Sequence, residues 1–455
     1  MNSHALERRL TTTFAVPNQL HPLTDSPNQG LRGIAAVFVM SSHLVLTLER
    51  SFVNVCCGPD ERTPTLFQRP ILRLIAAGQA WVSLFILLSG FVNALKPLKL
   101  ARDGEVQKAL GVIAVSSYRR SFRLMLPATA ASFVSWLFEQ LGFYYYARNG
   151  EAYWTRVTVP PTIYSATGRI ADFFVATSNT WSFNTENHYD QPQWALKYLL
   201  LGSMFVFLAL LATVQLKPFW RTMLLVLLYI VSQDWSYKFL DPLVGMNIFA
   251  GILLAELFLM QPLELNSFKR CSTLITLLTP FLLILSGVLM SIPMDRYDRA
   301  LWSNTIMNVA LRFMSPEAEP PRGVISIGGQ LLVLTILVSP WLRRLLSLPS
   351  LLWLGKVSFA IYLLHGPLLR SLFSWCLYIG NKPIPFPKDG GQDGELILLY
   401  PLPGGMRIAI SLGIFFGVLG FVAHAWTMKL EPIFAKLTKR AEGIMFARKT
   451  GAGLS

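Results

Sequence analysis

Residues 30–48 read GLRGIAAVFVMSSHLVLTL, an apolar run in which Arg32 and His43 are the only ionisable side chains. Eleven residues at about 100° each make about three full turns, so the two side chains share one helix face, roughly 16 Å apart along the axis. That offset is about half a bilayer core. A helix that only spanned lipid would gain nothing from either group, because an ionisable side chain at membrane depth costs on the order of 2.5 kcal/mol or more. Two readings follow. Either the pair works chemically inside the protein, or His43 is hydrogen-bonded to a neighbouring helix while Arg32 anchors the interface.

The composition around this run belongs to a multispan membrane protein. The chain has 455 residues, 53% of them hydrophobic and 14% charged, with a mean hydropathy of +0.46, far above that of an average soluble domain. Its net charge of +15 is carried in short clusters between apolar runs, which fits the positive-inside rule better than nucleic-acid binding. Four cysteines are too few for a disulfide framework, and Cys56-Cys57 has no metal-ligand spacing around it, so no metal is assigned. Cys57 and Cys376 are the one pair placed on a common side where bonding is conceivable.

Apolar runs of spanning length predict an all-α polytopic protein with about ten transmembrane helices: 31–48, 74–95, 124–141, 195–215, 220–236, 242–260, 272–292, 324–341, 351–374 and 407–428. An even number places both termini on one side. The basic segment from Lys96 to Arg123 and the basic tail after Met428 put that side in the cytosol. Residues 1–29 then form a disordered cytosolic tail, 30–430 the transmembrane domain, and 431–455 a basic cytosolic tail lying on anionic lipid.

Within this frame several groups stand out. Ser89 and Gly90, in FILLSGF (85–91), form a small-residue notch suited to close helix packing. Arg120 and Arg123, in YRRSFRL (118–124), share a helix face and would clamp phosphates or simply anchor a helix end. The connection 142–194 is too long for a plain link. Its aromatics, among them Tyr144, Tyr145, Tyr146, Tyr153, Trp154 and Trp181, with His188, suit either an interface belt or a lid over an organic substrate. Lys197 is placed to snorkel outward from the fourth span. Tyr362 and His365 lie on one face of the ninth span, where Pro367 predicts a kink.

Taken in order, LRGIAAVFVMSSH from Leu31, FILLSGF, YRRSFRL, QWALKYLLLGSMFVF from Gln193 and LGKVSFAIYLLHGP from Leu354 resemble the acyltransferase-3 family, integral membrane O-acyltransferases, and most closely its fungal branch. The resemblance covers roughly residues 30–430. It implies that His43 is the catalytic histidine, that Arg32, Arg120 and Arg123 bind the acyl donor, and that Ser89, Tyr362 and His365 contact or support the substrate. One departure stands in the fourth span: a family pattern of Trp-Thr-x-x-x-Glu reads Trp194-Ala195-Leu196-Lys197-Tyr198-Leu199 here, so a buried carboxylate is replaced by leucine.

The implied activity is transfer of an acyl group, acetyl by expectation, from acyl-CoA to a hydroxyl of a lipophilic small molecule such as a fungal specialised metabolite. The expected partners are acyl-CoA as co-substrate, the lipophilic alcohol and membrane lipids, with no resident cofactor and no nucleic acid. The expected location is the endoplasmic reticulum or another endomembrane. The competing reading is a small-molecule transporter, or a silent relative, whose intramembrane His and Arg serve as a gate; a lipid scaffold without turnover is a third.

Overall fold

A computed structural model of the chain describes residues 22–56, 64–182, 187–234, 242–260, 265–314, 319–387 and 395–446. The outer parts of both expected tails, and Cys57, lie outside these residues. The described chain is a bundle of helices: α1 (Pro22–Leu48), α2 (Gly78–Arg102), α3 (Val106–Gln140), the short α4 (Tyr145–Asn149) and α5 (Tyr153–Val157), α6 (Ala166–Asn179), α7 (Trp194–Thr213), α8 (Pro218–Val231), α9 (Pro242–Met260), α10 (Leu265–Met290), α11 (Leu301–Ala310), α12 (Pro320–Val338), α13 (Pro340–Leu346), α14 (Pro349–Leu368), α15 (Ser374–Tyr378), α16 (Gly405–Lys429) and α17 (Glu431–Met445). A small antiparallel hairpin, β1 (Ile384–Pro387) with β2 (Leu396–Leu399), pairs Ile384 with Leu399.

Among the described residues six helical stretches are long and apolar enough to cross a membrane: Pro27–Leu48, Gly78–Arg102, Gln191–Thr213, Pro320–Val338, Pro349–Tyr378 and Gly405–Met445. Three shorter apolar helices accompany them, Pro218–Val231, Val244–Met260 and Leu277–Met290. Proline at the first helical turn fixes where α8, α12, α13 and α14 begin, since its missing N–H is one that a helix start leaves unpaired anyway.

Several expected boundaries move. The first helix begins at Pro22, eight residues before Gly30. The second begins at Gly78, after a short 3-10 turn over Leu72–Ile75, and not at Leu74. The basic segment read as a loop from Lys96 is helical to Arg102 and again from Val106. The reason is that Lys and Arg are good helix formers, so charge marks the end of an apolar run without ending the helix. α3 is thereby a single helix about 52 Å long, with Arg119, Arg120 and Arg123 near its middle. The expected basic tail is helical over Glu431–Met445, and its Glu442 pairs with Arg119 on α3.

α2 is apolar around its whole circumference and buried on most of it, the pattern of a helix at the centre of a bundle. It crosses α9 backbone to backbone: a Cβ on Gly90 would stand 2.5 Å from the Ile248 carbonyl oxygen, and one on Gly251 would stand 2.4 Å from that of Leu87. The Gly90 half of the notch therefore serves packing. Beside this crossing, Asn247 donates to Ser83 (2.8 Å) and Ser326 (3.0 Å), linking α9, α2 and α12. At the far ends of α2 and α9, Glu256 is held between Arg102 and Arg221, with Arg221 and Glu256 both almost fully buried.

The opposite end of the bundle is capped by residues 142–182 and 187–193. Gln193 donates to Asp190 Oδ2 (2.9 Å) and accepts from Ser132 (3.2 Å), while Asn187 donates to Ser132 (2.8 Å) and Thr180 (2.9 Å). Lys197, expected to reach outward, is buried and donates to the Ser182 carbonyl (3.0 Å). The free-energy gain of pairing the ammonium with this cap exceeds what snorkelling offers from inside the bundle. Cys376 is a free thiol, so its pairing with Cys57 is not formed.

Gly251→Leu forces α2 and α9 apart and should cost about 3 kcal/mol or more; the check is a collapse of the monodisperse fraction after extraction in mild detergent. Asp190, just before the span that opens at Gln191, is fully buried, and burial pushes its carboxyl up to about 7 against the opposing pull of Arg370 and the Gln193 bond. A raised acid holds its proton more tightly when folded, so its stability contribution is whole below about pH 4 and is lost as pH rises through 7. Thermal unfolding of the purified protein should show a lower melting temperature at pH 8 than at pH 5, and Asp190→Asn should flatten that slope.

Candidate active site

His43 lies three helical turns beyond Arg32 on α1, and the ring facing it belongs to His365 on α14. Their centroids are 5.1 Å apart at an interplanar angle of 35°. His365 is fully buried. Its Nδ1 points at the carbonyl oxygens of Ile361 (3.2 Å) and Tyr362 (2.8 Å). Carbonyls only accept, so Nδ1 carries the hydrogen and Nε2 carries the lone pair. That Nε2 is buried without a partner, and so is His43 Nδ1. Buried ring nitrogens are rarely left unpaired in a structural role. Here two of them share one small space.

Trp154 closes the third side. Its ring stands 4.7 Å from that of His43, carried by α5 in the capping segment. The aromatic content of 142–194 thus includes at least one ring packed on His43. Tyr362 backs His365: its ring packs against the imidazole (centroids 6.0 Å) while its hydroxyl donates to the Pro192 carbonyl, which ties α14 to the start of α7 and makes Tyr362 a support for His365. The expected disturbance after Pro367 is a π turn over Leu369–Phe373, a form often found beside functional sites.

The second cluster lies at the other end of α1. Arg120 donates through Nε to Ser203 Oγ (3.1 Å) and through a terminal nitrogen to Ser89 Oγ (3.2 Å). The two hydroxyls are 3.1 Å apart, and Asn93 adds a bond to Ser89 (3.2 Å). Ser203 in turn donates to the Leu199 carbonyl (2.6 Å). One edge of the guanidinium is fixed in a seat of neutral hydroxyls, which leaves its charge uncompensated. Arg32 and Arg123 both act on Arg120 by Coulomb repulsion, and Glu431 of α17 offsets Arg32. Such a group of guanidiniums is made for an anion with several oxygens.

The structure thus sorts the expected residues into two places. His43 and His365 meet, with the Tyr362 ring on the other side of His365 (centroids 6.0 Å); Arg120 and Ser89 meet some three helical turns away, with Arg32 and Arg123 as the cations nearest Arg120. Three residues were not singled out by sequence. Ser203 was in view, inside the QWALKYLLLGSMFVF stretch. Asn93 had only its place one turn after Ser89 as a signal. Trp154 was one aromatic among many, and no spacing marked it. At the Leu199 position the backbone carbonyl, and not a side chain, serves the arginine seat. Among the described residues no three His, Cys, Asp or Glu side chains gather as a metal site.

Comparison with known proteins gives the family. Residues 29–426 match the model of the acyltransferase-3 family, described as an acyltransferase domain. The chain is 25% identical to the O-acetyltransferase PaAT-1 of Phomopsis amygdali over 366 residues, 75% of this chain and 72% of that protein. It is 24% identical to the acyltransferase R4 of a Phoma species, covering 76% of this chain and 84% of that one. Against the acyltransferase clz18 of Cochliobolus lunatus it is 23% identical, covering 79% and 86%. No solved structure gives a significant match. A match across nearly the whole bundle displaces the transporter reading: the chain belongs to the acyltransferase-3 family and is an integral membrane O-acyltransferase.

Proposed function

We propose that the protein moves an acetyl group from acetyl-CoA to a hydroxyl of a lipophilic small molecule, plausible acceptors being fungal specialised metabolites, in the endoplasmic reticulum or another endomembrane. The observation that carries this reading is the pair of unpartnered imidazole nitrogens of His43 and His365, half a membrane's depth from Arg120 in its seat of neutral hydroxyls. The acetyl choice follows the name of the Phomopsis relative.

The arginine end faces the cytosol in this scheme, where acyl-CoA is made. Arg32, Arg120 and Arg123 hold the phosphates by charge-assisted bonds. The pantetheine arm runs along α1, whose roughly 16 Å between Arg32 and His43 matches the reach that it needs. At the far end the acceptor hydroxyl lies beside His43. His43 removes its proton as the oxygen attacks the thioester carbonyl, and His365, its Nδ1–H held by two carbonyls, packs on the His43 ring and holds it in place. Collapse of the tetrahedral intermediate breaks the carbon–sulfur bond, and the proton passes from His43 to the departing thiolate. Ester and free CoA leave, and both imidazoles are neutral again. The cap, with Trp154 against His43, keeps water from competing for the acyl group.

Two experiments test the scheme. Extracts of hosts expressing wild type and His43→Ala at equal membrane levels, compared by mass spectrometry, should show an acylated metabolite in the first and its free alcohol in the second, with a rate loss of about 10²–10⁴-fold; equal acylated product in both would sink the role of His43. In membranes supplied with radiolabelled acetyl-CoA, Arg120→Ala should raise the donor KM about tenfold or more, with a smaller change in kcat.

A further inference from the structure

One buried charge has no place in that scheme. Arg370 lies within the π turn of the ninth span, fully buried. Five residues separate it from His365, about 140° around a helix, so the two side chains leave the helix in different directions. His365 meets His43, while Arg370 enters the cap. Its Nε donates to the Gly366 carbonyl (3.3 Å), one terminal nitrogen to the carbonyls of Thr158 (2.8 Å) and His188 (3.2 Å), and the other to that of Tyr189. Asp190 Oδ1 stands 3.8 Å from the same guanidinium, and the Tyr144 ring lies 5.0 Å beneath it.

The partners matter more than their number. Gly366 follows His365 directly on α14. Thr158 ends α5, and it binds the Trp154 carbonyl twice, through its N–H (3.2 Å) and its hydroxyl (2.8 Å). Trp154 and His365 are the two rings packed on His43. The contacts form a closed circuit: His43, His365, Gly366, Arg370, Thr158, Trp154 and back to His43. We infer that Arg370 is a positioning residue, a buried strut that fixes the spacing between the His365 ring and the Trp154 ring that pack on His43. This rests on the reading that His43 and His365 form the reacting centre. A lysine in its place offers three donors from one point and cannot span carbonyls on both sides, whereas the planar fork does so at once.

The test uses the full-length protein in membranes, with radiolabelled acetyl-CoA as donor and the lipophilic extract of producing cells as the acceptor pool. Rates are expressed per folded enzyme from the monodisperse fraction after extraction. Arg370→Lys should lower kcat about 10- to 100-fold, the effect of a displacement of about an ångström, and leave the donor KM within about twofold. Thr158→Val, a small change that removes only the hydroxyl's bonds to the Trp154 carbonyl (2.8 Å) and, more weakly, the Thr155 carbonyl (3.4 Å), should lower kcat by about threefold to tenfold with the same split and an unchanged melting temperature. A wild-type kcat per folded enzyme in Thr158→Val, or an Arg370→Lys loss that follows only the loss of folded protein, overturns the inference; should Arg370→Lys not fold, Thr158→Val decides alone. Full turnover in His43→Ala would overturn the reacting centre itself, whereas a dead His43→Ala beside two fully active strut variants would overturn only Arg370.

Discussion

A guanidinium among apolar helices brings five N–H donors and a charge that water no longer serves, and this fold depends on how each one is met. Arg370 is met by four carbonyls and stands near Asp190; Arg102 and Arg221 share Glu256; Arg73 reaches the carbonyls of Ser291 and Val53. Those seats bind two or more chain segments together and, where a carboxylate is present, cancel the charge. Arg120 is different. Its seat is made of neutral hydroxyls and its neighbours Arg32 and Arg123 are cations. Geometry is supplied there and charge compensation is not, which separates this seat from those that hold the bundle together.

The same contrast runs along α1. Its backbone ladder fixes the offset between Arg32 and His43 without any tertiary contact, so the depth of the imidazole is set by the sequence interval itself. What the tertiary structure adds is the partner. His365 arrives from a helix more than 300 residues later, with its tautomer dictated by two carbonyls of its own preceding turn. Local geometry sets the distance, and packing sets the chemistry.

Much of this was legible in the sequence because a membrane imposes a simple code. Apolar runs of about 20 residues locate helices, and an arginine and a histidine at an interval of eleven announce a polar stripe. Legibility fails where the code changes. Helices that continue past the apolar run, as α2 does to Arg102 and α3 does from Val106, look like loops when charge is taken as a boundary. Lys197 looks like an outward anchor until the cap that receives it is known. Trp154 could be named among the aromatics of its segment but not chosen, since nothing local distinguishes the ring that touches His43 from its neighbours. The hydroxyl seat of Arg120 combines α2, α3 and α7, a long-range arrangement whose only trace is two serines in separate motifs.

The contact between the last helix and the first carries a consequence for biosynthesis. Arg32 lies on α1, yet the carboxylate that offsets it, Glu431, belongs to α17, and Arg119 on α3 waits likewise for Glu442. Each arginine is therefore made more than 300 residues before the carboxylate that answers it, and until α17 has been made neither has that partner. A chain cut short before residue 431 would insert its spans and still lack the piece that settles the charges of the first.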